Sequence, residues 1–319
     1  MNVHDSFWGC RRGASWRCSL PGLLAIPAAL LLMSPVQLAR AADDASPPAG
    51  KDAASWTPKL YAFCMGMPDK ARRTVAEQAE MLHELGFDGV GYSLWLGEEL
   101  EKNLRALDAA GIEAFMLYTS VNLKPDKPAF DPRVPEAIRK LKGRPVTICV
   151  LLRGFPPGDA RGMEPAVAAL RKLGDAAAEA GLRVSIYHHV GDWTQSLPFA
   201  LEVVEKVDHP QVGVNFNLCH WLKIEGEKDY RPVLREHAER IFVVTINGAQ
   251  LGATAWTDGL IQPLDRGDFD NRELLSTLRD AGYRGPVGLM CYAIPGDARE
   301  HLKRSMKVWK TWKAEWATE

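Results

Sequence analysis

The sequence predicts an α/β protein: a single (β/α)8 barrel preceded by a signal peptide and a short linker. Three observations carry this prediction. Short apolar runs alternate about eight times with helical patterns over residues 58–319. Gly86, Gly111, Gly181 and Gly282 each follow a helical pattern, where helix C-caps belong. No Gly-x-Gly-x-x-Gly opens a helix after a strand, which argues against a doubly wound open sheet.

The elements follow in order. In residues 1–41, Arg11, Arg12 and Arg17 precede an apolar core from Leu20 to Met33, and Ala39-Arg40-Ala41 supplies a small-residue cleavage pattern. Basic, then apolar, then small residues make a secretory signal, so the protein is expected to be exported to the periplasm or the extracellular space. The apolar core is short for a membrane span. Residues 42–57, rich in Ala, Pro, Asp and Ser, read as a flexible linker.

Leu60–Cys64 is the first strand. Arg72–Leu85 is the first helix, with Val75, Ala79 and Leu82 on one face. Gly89–Leu94 and the helix Glu98–Ala110 come next, the latter opening on acidic residues that suit its dipole. Ile112–Leu117 and Val134–Leu141 form the third unit, Val146–Leu152 and the Ala-rich Met163–Ala180 the fourth. Arg183–His188 with Leu197–Val207, Val212–Phe216 with Arg231–Arg240, and Ile241–Ile246 with Arg272–Ala281 continue the alternation. Gly285-Pro286 introduces the last strand, Val287–Cys291, and His301–Trp312 closes the chain as a helix.

Of 39 basic and 40 acidic residues, four Arg and one Asp leave with the signal, so the remainder carries a formal charge near −4. That balance lacks the basic footprint needed for nucleic acid or an anionic membrane surface. It leaves a small molecule as the expected partner. Cys10 and Cys18 also leave. Cys64, Cys149, Cys219 and Cys291 sit in or beside apolar runs without Cys-x-x-Cys spacing, and read as buried small hydrophobes. Should the first and last strands be neighbours, Cys64 and Cys291 are the pair to test for a disulfide.

In such a barrel the segments after the strands build the active face. Two of them stand out: His188-His189-Val190-Gly191-Asp192-Trp193 and Asn217-Leu218-Cys219-His220-Trp221. The candidate acid–base groups are His188, His189, His220 and Lys223. Strand alternation lets only one of His188 and His189 face the interior. Candidate substrate contacts are Trp95, Tyr118, Arg153, Tyr187, Trp193, Asn217, Trp221, Asn247 and Trp256, since indoles and phenols stack on the C–H faces of sugars. The polar loop carrying Asp258, Asp265, Arg266 and Asp268 has the length of a lid or binding segment.

The segment Asp208-His209-Pro210-Gln211-Val212-Gly213-Val214-Asn215-Phe216-Asn217-Leu218-Cys219-His220 resembles the xylose-isomerase-like TIM barrels, which include sugar-phosphate isomerases and epimerases and endonuclease-IV-like enzymes. Gly282-Tyr283-Arg284-Gly285-Pro286-Val287 and Pro263–Asp270 resemble the same family. The resemblance covers the chain from about Lys59 onward. It implies a metal site made of Glu, Asp, His and Glu after strands five to eight. The matching residues here are Tyr187, Asn217, Thr245 and Met290, none of them a carboxylate. The histidine that follows the metal-site Asp and helps hold substrate in the family is matched by His220. The resemblance therefore implies the fold and the pocket, while a hard divalent ion lacks its oxygen ligands. A divalent ion such as Zn²⁺ could be held only by a rebuilt set, His189, Asn217 and His220. No cofactor is otherwise expected.

The expected activity is isomerisation, epimerisation or elimination on a carbohydrate by proton transfer next to a carbonyl. His220 with His188 or His189 would supply acid and base, and Arg153 and Lys223 would polarise oxygen. The alternatives are a carbohydrate-binding protein derived from such an enzyme, and a nuclease, which the acidic charge disfavours.

Overall fold

Eight parallel strands pair in chain order, β1 with β2 through β7 with β8, and β8 closes back on β1. The structure is a computed structural model and describes residues 56–66 and 69–316. The signal peptide and nearly all of the linker lie outside the described residues. The strands are β1 Leu60–Phe63, β2 Gly89–Ser93, β3 Glu113–Asn122, β4 Thr147–Arg153, β5 Arg183–Tyr187, β6 Val212–Asn217, β7 Ile241–Ile246 and β8 Val287–Met290. The helices are α1 Val75–Leu85, α2 Glu98–Ala109, α3 Val134–Lys140, α4 Met163–Ala180, α5 Leu197–Val207, α6 Leu218–Glu225, α7 Arg231–Glu236, α8 Asn271–Asp280 and α9 Ala298–Trp316. Among the described residues, no helix is long and apolar enough to cross a membrane.

Local chemistry sets these boundaries. Thr74 and Glu77 form a reciprocal capping box at the start of α1. Gly86 and Gly181 end α1 and α4 at φ 89° and 69°, a left-handed conformation that costs glycine nothing. The strands β5, β6, β7 and β8 are buried along their lengths except for Arg183, because the helix layer covers the sheet from outside and side chains fill the barrel inside.

Among the boundaries that differ from the sequence reading, three have a clear local cause. Strand β3 runs on to Asn122, five residues past Leu117, because its upper half stays paired with β4 through Asn122 and Arg153. Helix α9 begins at Ala298, where Asp69 accepts the Ala298 N–H and binds Arg73, which in turn grips Asp297. The segment after β6 is a helix from its first residue: Asn217 ends the strand and caps α6 with its own side chain. Strands β1 and β8 are neighbours, yet Cys64 and Cys291 are free thiols. Trp56, at the end of the linker, packs edge-on against Tyr283.

The loop between β5 and α5 is fastened by Trp193. Its indole N–H donates to the Asp159 carbonyl, its backbone N–H to the Leu152 carbonyl, and its own carbonyl accepts from Gly158. A Cβ on Gly162 would come within 2.4 Å of that indole. Gly162→Ala is therefore expected to lower stability by roughly 1–3 kcal/mol through overpacking. Urea denaturation monitored by circular dichroism measures it; an unchanged midpoint would mean that Trp193 is loosely held.

Candidate functional site

The C-terminal ends of the strands surround a cavity of about 380 Å³, within the size range of small-molecule sites. Phe63, Cys64, Tyr118, Leu151, Arg153, Tyr187, His189, Val190, Cys219, His220, Trp256, Ile261, Met290 and Tyr292 line it. A larger, open groove beside α1 and α9 is lined mainly by charged helix-surface residues and has no comparable set of converging imidazole and phenol groups.

Strand alternation sorts the adjacent histidines. Tyr187 and His189 share the inner side of β5 and its continuation, and both line the cavity. His188 faces the other way. It is fully buried, and its Nε2 accepts the Asn217 backbone N–H at 3.1 Å. Burial lowers its pKa to about 3, so it stays neutral. Its role is to tie β5 to the end of β6, which corrects its candidacy as an acid–base group.

His189 and His220 face one another, ring centroids 4.2 Å apart. The backbone of Val190 lies between them and assigns their protons. The Val190 N–H donates to Nδ1 of His220 at 3.4 Å, so that nitrogen carries a lone pair and neutral His220 carries its hydrogen on Nε2. The Val190 carbonyl lies 3.0 Å from Nδ1 of His189, so that nitrogen carries the hydrogen. Nε2 of His189 is left with a lone pair and no protein partner among the described residues. The two imidazoles thus hold opposite tautomers.

A second backbone N–H orients Asn217. His220 N–H donates to Asn217 Oδ1 as part of the α6 cap, as does the Cys219 thiol at 3.0 Å. The amide nitrogen of Asn217 therefore points at Tyr187 and donates to its oxygen at 2.9 Å. His220 Nε2 lies 3.3 Å from the same oxygen and, in its assigned tautomer, donates to it. With two donors on the tyrosine oxygen, the hydroxyl hydrogen of Tyr187 is released from protein acceptors and turned to the cavity.

Burial keeps these groups neutral. It raises the Tyr187 pKa well above its ordinary value and lowers that of His220 well below. Burial also lowers His189, opposed by Asp192, whose carboxylate is 3.7 Å from its Nδ1.

The other expected site residues separate. Arg153 and Trp256 line the cavity, as does Tyr118. Lys223 does not: its Nζ donates to the Thr254 carbonyl and lies over the Trp256 ring, outside the histidine cavity. Trp193 is fully buried as the loop fastener, and Trp221 is buried against Phe216 on the helix side of β6. Trp95 packs on Tyr92 and Asn247 donates to the Gly248 and Leu260 carbonyls, so neither reaches the cavity. The loop after β7 is pinned rather than loose. Gly248 and Gln262 pair across it, and Asp268 accepts from Gln250 and Leu251. Sequence reasoning did not select Phe63, Cys64, Leu151, Val190, Cys219, Ile261 or Met290 as site residues. Val190 and Cys219, each beside a singled-out histidine, and Met290, at a family metal position, carried a positional signal.

The residues at the family's metal positions do not fit a hard divalent ion. Asn217 is paired with Thr245 in register and spends its amide on the cap and on Tyr187. Tyr187 remains protonated, and Met290 offers a thioether. The rebuilt set fares no better, because both ring nitrogens of His220 and both amide groups of Asn217 are engaged. Among the described residues, no group of three or more His, Cys, Asp or Glu is placed to hold a metal.

Burial of neutral histidines makes stability depend on pH. His188, His189, His220 and His301 all have lowered pKa values, His301 to about 4. Below the ordinary value of 6.5 the unfolded chain binds protons that the folded chain refuses, so stability falls with pH through this window. The urea midpoint is expected to drop between pH 7.5 and pH 5; a midpoint that holds or rises would contradict the burial of neutral rings.

Residues 79–312 match the family described as xylose isomerase-like TIM barrel, and the chain belongs to this family. A comparison with curated proteins finds no match. Among solved structures, the chain is similar to 3-keto-D-glucoside 4-epimerase from E. coli (TM-score 0.61, 17% identity, 80% of this chain and 100% of that one). It is also similar to D-psicose 3-epimerase with D-tagatose from Clostridium cellulolyticum H10 (TM-score 0.59, 15% identity, 81% and 99% covered). An AP endonuclease, family 2, from Brucella melitensis aligns at TM-score 0.57 with 18% identity, covering 77% and 97%. At these identities the likeness is one of fold.

Proposed function

We propose that this xylose isomerase-like barrel is an exported isomerase or epimerase of a carbohydrate or sugar derivative, moving a proton next to a carbonyl without the family's metal site. Export rests on the signal pattern of residues 1–41. The fold fits such chemistry, since epimerases stand among its structural neighbours. The observation that carries the reading is the placement of the Val190 N–H and carbonyl against the two imidazoles, which assigns them opposite tautomers on one cavity.

His189 Nε2 is the base. It takes the proton from the carbon beside the carbonyl, and the C–H electron pair moves into a carbon–carbon double bond. The carbonyl oxygen takes the hydroxyl proton of Tyr187. The tyrosine oxygen left behind already faces two donors, Asn217 Nδ2 and His220 Nε2, which hold its charge. Return of the two protons, at the other face or the other carbon, completes epimerisation or isomerisation. His220 acts through Tyr187, and Trp256 offers a ring face to the ligand.

The aromatic wall also supports a second reading, a carbohydrate-binding protein without turnover, because no carboxylate lines the cavity.

Proton exchange into a panel of aldoses and ketoses in D2O, followed by NMR with EDTA present, separates the two. Turnover by the proposed route gives exchange that survives EDTA. His189→Ala is expected to slow it by about 10²–10⁴ and Tyr187→Phe by a similar factor. Exchange lost in EDTA and restored by Mn²⁺ or Zn²⁺, or unaffected by His189→Ala, would overturn the mechanism. Sugar binding with no exchange would favour the second reading.

A further inference from the structure

Among the described residues, Arg153 is the one charged side chain in the cavity wall. Its guanidinium is held in a defined plane. Nε lies 3.0 and 3.1 Å from the two Asp192 oxygens, and Nη1 donates to Ser120 Oγ at 3.0 Å. A guanidinium has five N–H donors. Two directions are spent on Asp192 and Ser120, and the Nη2 edge has no protein acceptor among the described residues. Asp192 is only 12% exposed while Arg153 is 47% exposed, so the carboxylate backs the arginine and the arginine faces the opening.

No carboxylate stands opposite. The other wall residues are neutral, including both imidazoles. A ligand in this cavity therefore meets one fixed cation, backed by Asp192, and no carboxylate among the lining residues. A carboxylate can accept charge-assisted hydrogen bonds from Nη2, whose N–H groups have no protein acceptor among the described residues. A phosphate dianion would meet a single cation. The helix N-terminus in the cavity wall, that of α6, is already capped by Asn217 and offers its His220 N–H to that residue. Arg153 also acts electrostatically on both His189 and Tyr118, which places it within range of the reacting end.

We infer that the substrate is a carboxylated sugar that keeps a carbonyl, a uronic or keto-aldonic acid or a derivative, whose carboxylate is held by Arg153 while its carbonyl end lies at Tyr187 and His189. This rests on the sugar-directed reading above. It changes the expected role of Arg153, which anchors the far end of the substrate rather than polarising the reacting oxygen.

Calorimetric titration of the full chain with D-glucose, D-glucuronate, D-galacturonate, D-gluconate and D-glucose 6-phosphate tests it. At least one of the three acids is expected to bind about tenfold or more tightly than glucose, the size of a charge-assisted hydrogen-bond pair. Arg153→Gln is expected to remove that difference, and Arg153→Lys to restore part of it; thermal melts establish that each variant is folded. Equal binding of acids and glucose, no binding by any acid, a preference for the phosphate, or an acid preference that survives Arg153→Gln would each overturn the inference. Proton exchange into neutral sugars without acid preference would remove this role for Arg153 and leave the acid–base reading standing. Acid preference without exchange into any probe would do the reverse.

Discussion

The peptide groups of Val190 sit between the buried imidazole of His220 and the half-buried one of His189 and decide where their protons are. The N–H faces Nδ1 of His220 and the carbonyl faces Nδ1 of His189. A backbone N–H can only donate and a carbonyl can only accept, so the rings are driven to opposite tautomers, and the Asp192 carboxylate near Nδ1 of His189 favours the same proton there. One ring presents a bare nitrogen to the cavity and the other presents a hydrogen to Tyr187. The α6 cap then fixes Asn217 by the same logic, and the two donors converge on the tyrosine oxygen. A base and an acid result from neutral residues at a place where burial disfavours ions.

The barrel holds this arrangement by simple means. Tyr187 and Asn215 are paired in register between β5 and β6, and Asn217 with Thr245 between β6 and β7, so Tyr187 and Asn217 rise from adjacent strands. His188, outside the cavity, clamps the two strand ends through the Asn217 N–H. Trp193 fastens the following loop to β4. That loop carries Asp192, which faces His189 on one side and Arg153 on the other. Groups away from the cavity thus set the geometry within it.

The barrel was legible in the chain because its signals are local and repeated: apolar runs, helical faces and terminal glycines. The place of the site followed from those, since Tyr187, His189 and His220 lie at consecutive strand ends. Alternation required one of His188 and His189 to face inward, but the direction depends on register with β4 and β6, which is a tertiary property. The indoles were harder. Trp193, Trp221, Trp95 and Trp256 all follow strands, yet only Trp256 lines the cavity, because a large ring packs wherever the helix layer leaves room. Lys223 and Asn247 were drawn to carbonyls beside them in the fold, which no spacing reveals. The tautomer switch was invisible because it is made by backbone groups, whose chemistry is the same at every residue.

The family's carboxylates gather a hard ion at the mouth of the barrel. Here the equivalent strands bring a phenol, an amide, a hydroxyl and a thioether, and two imidazoles complete the set. On the proposed reading the pocket is kept and its chemistry moves from metal ligation to neutral proton transfer. The most direct test is the tautomeric state of the two rings. Long-range ¹H–¹⁵N NMR on histidine-labelled protein at pH 7 is predicted to show His189 protonated on Nδ1 and His220 on Nε2. The same tautomer on both rings, or fast averaging between forms, would contradict the account.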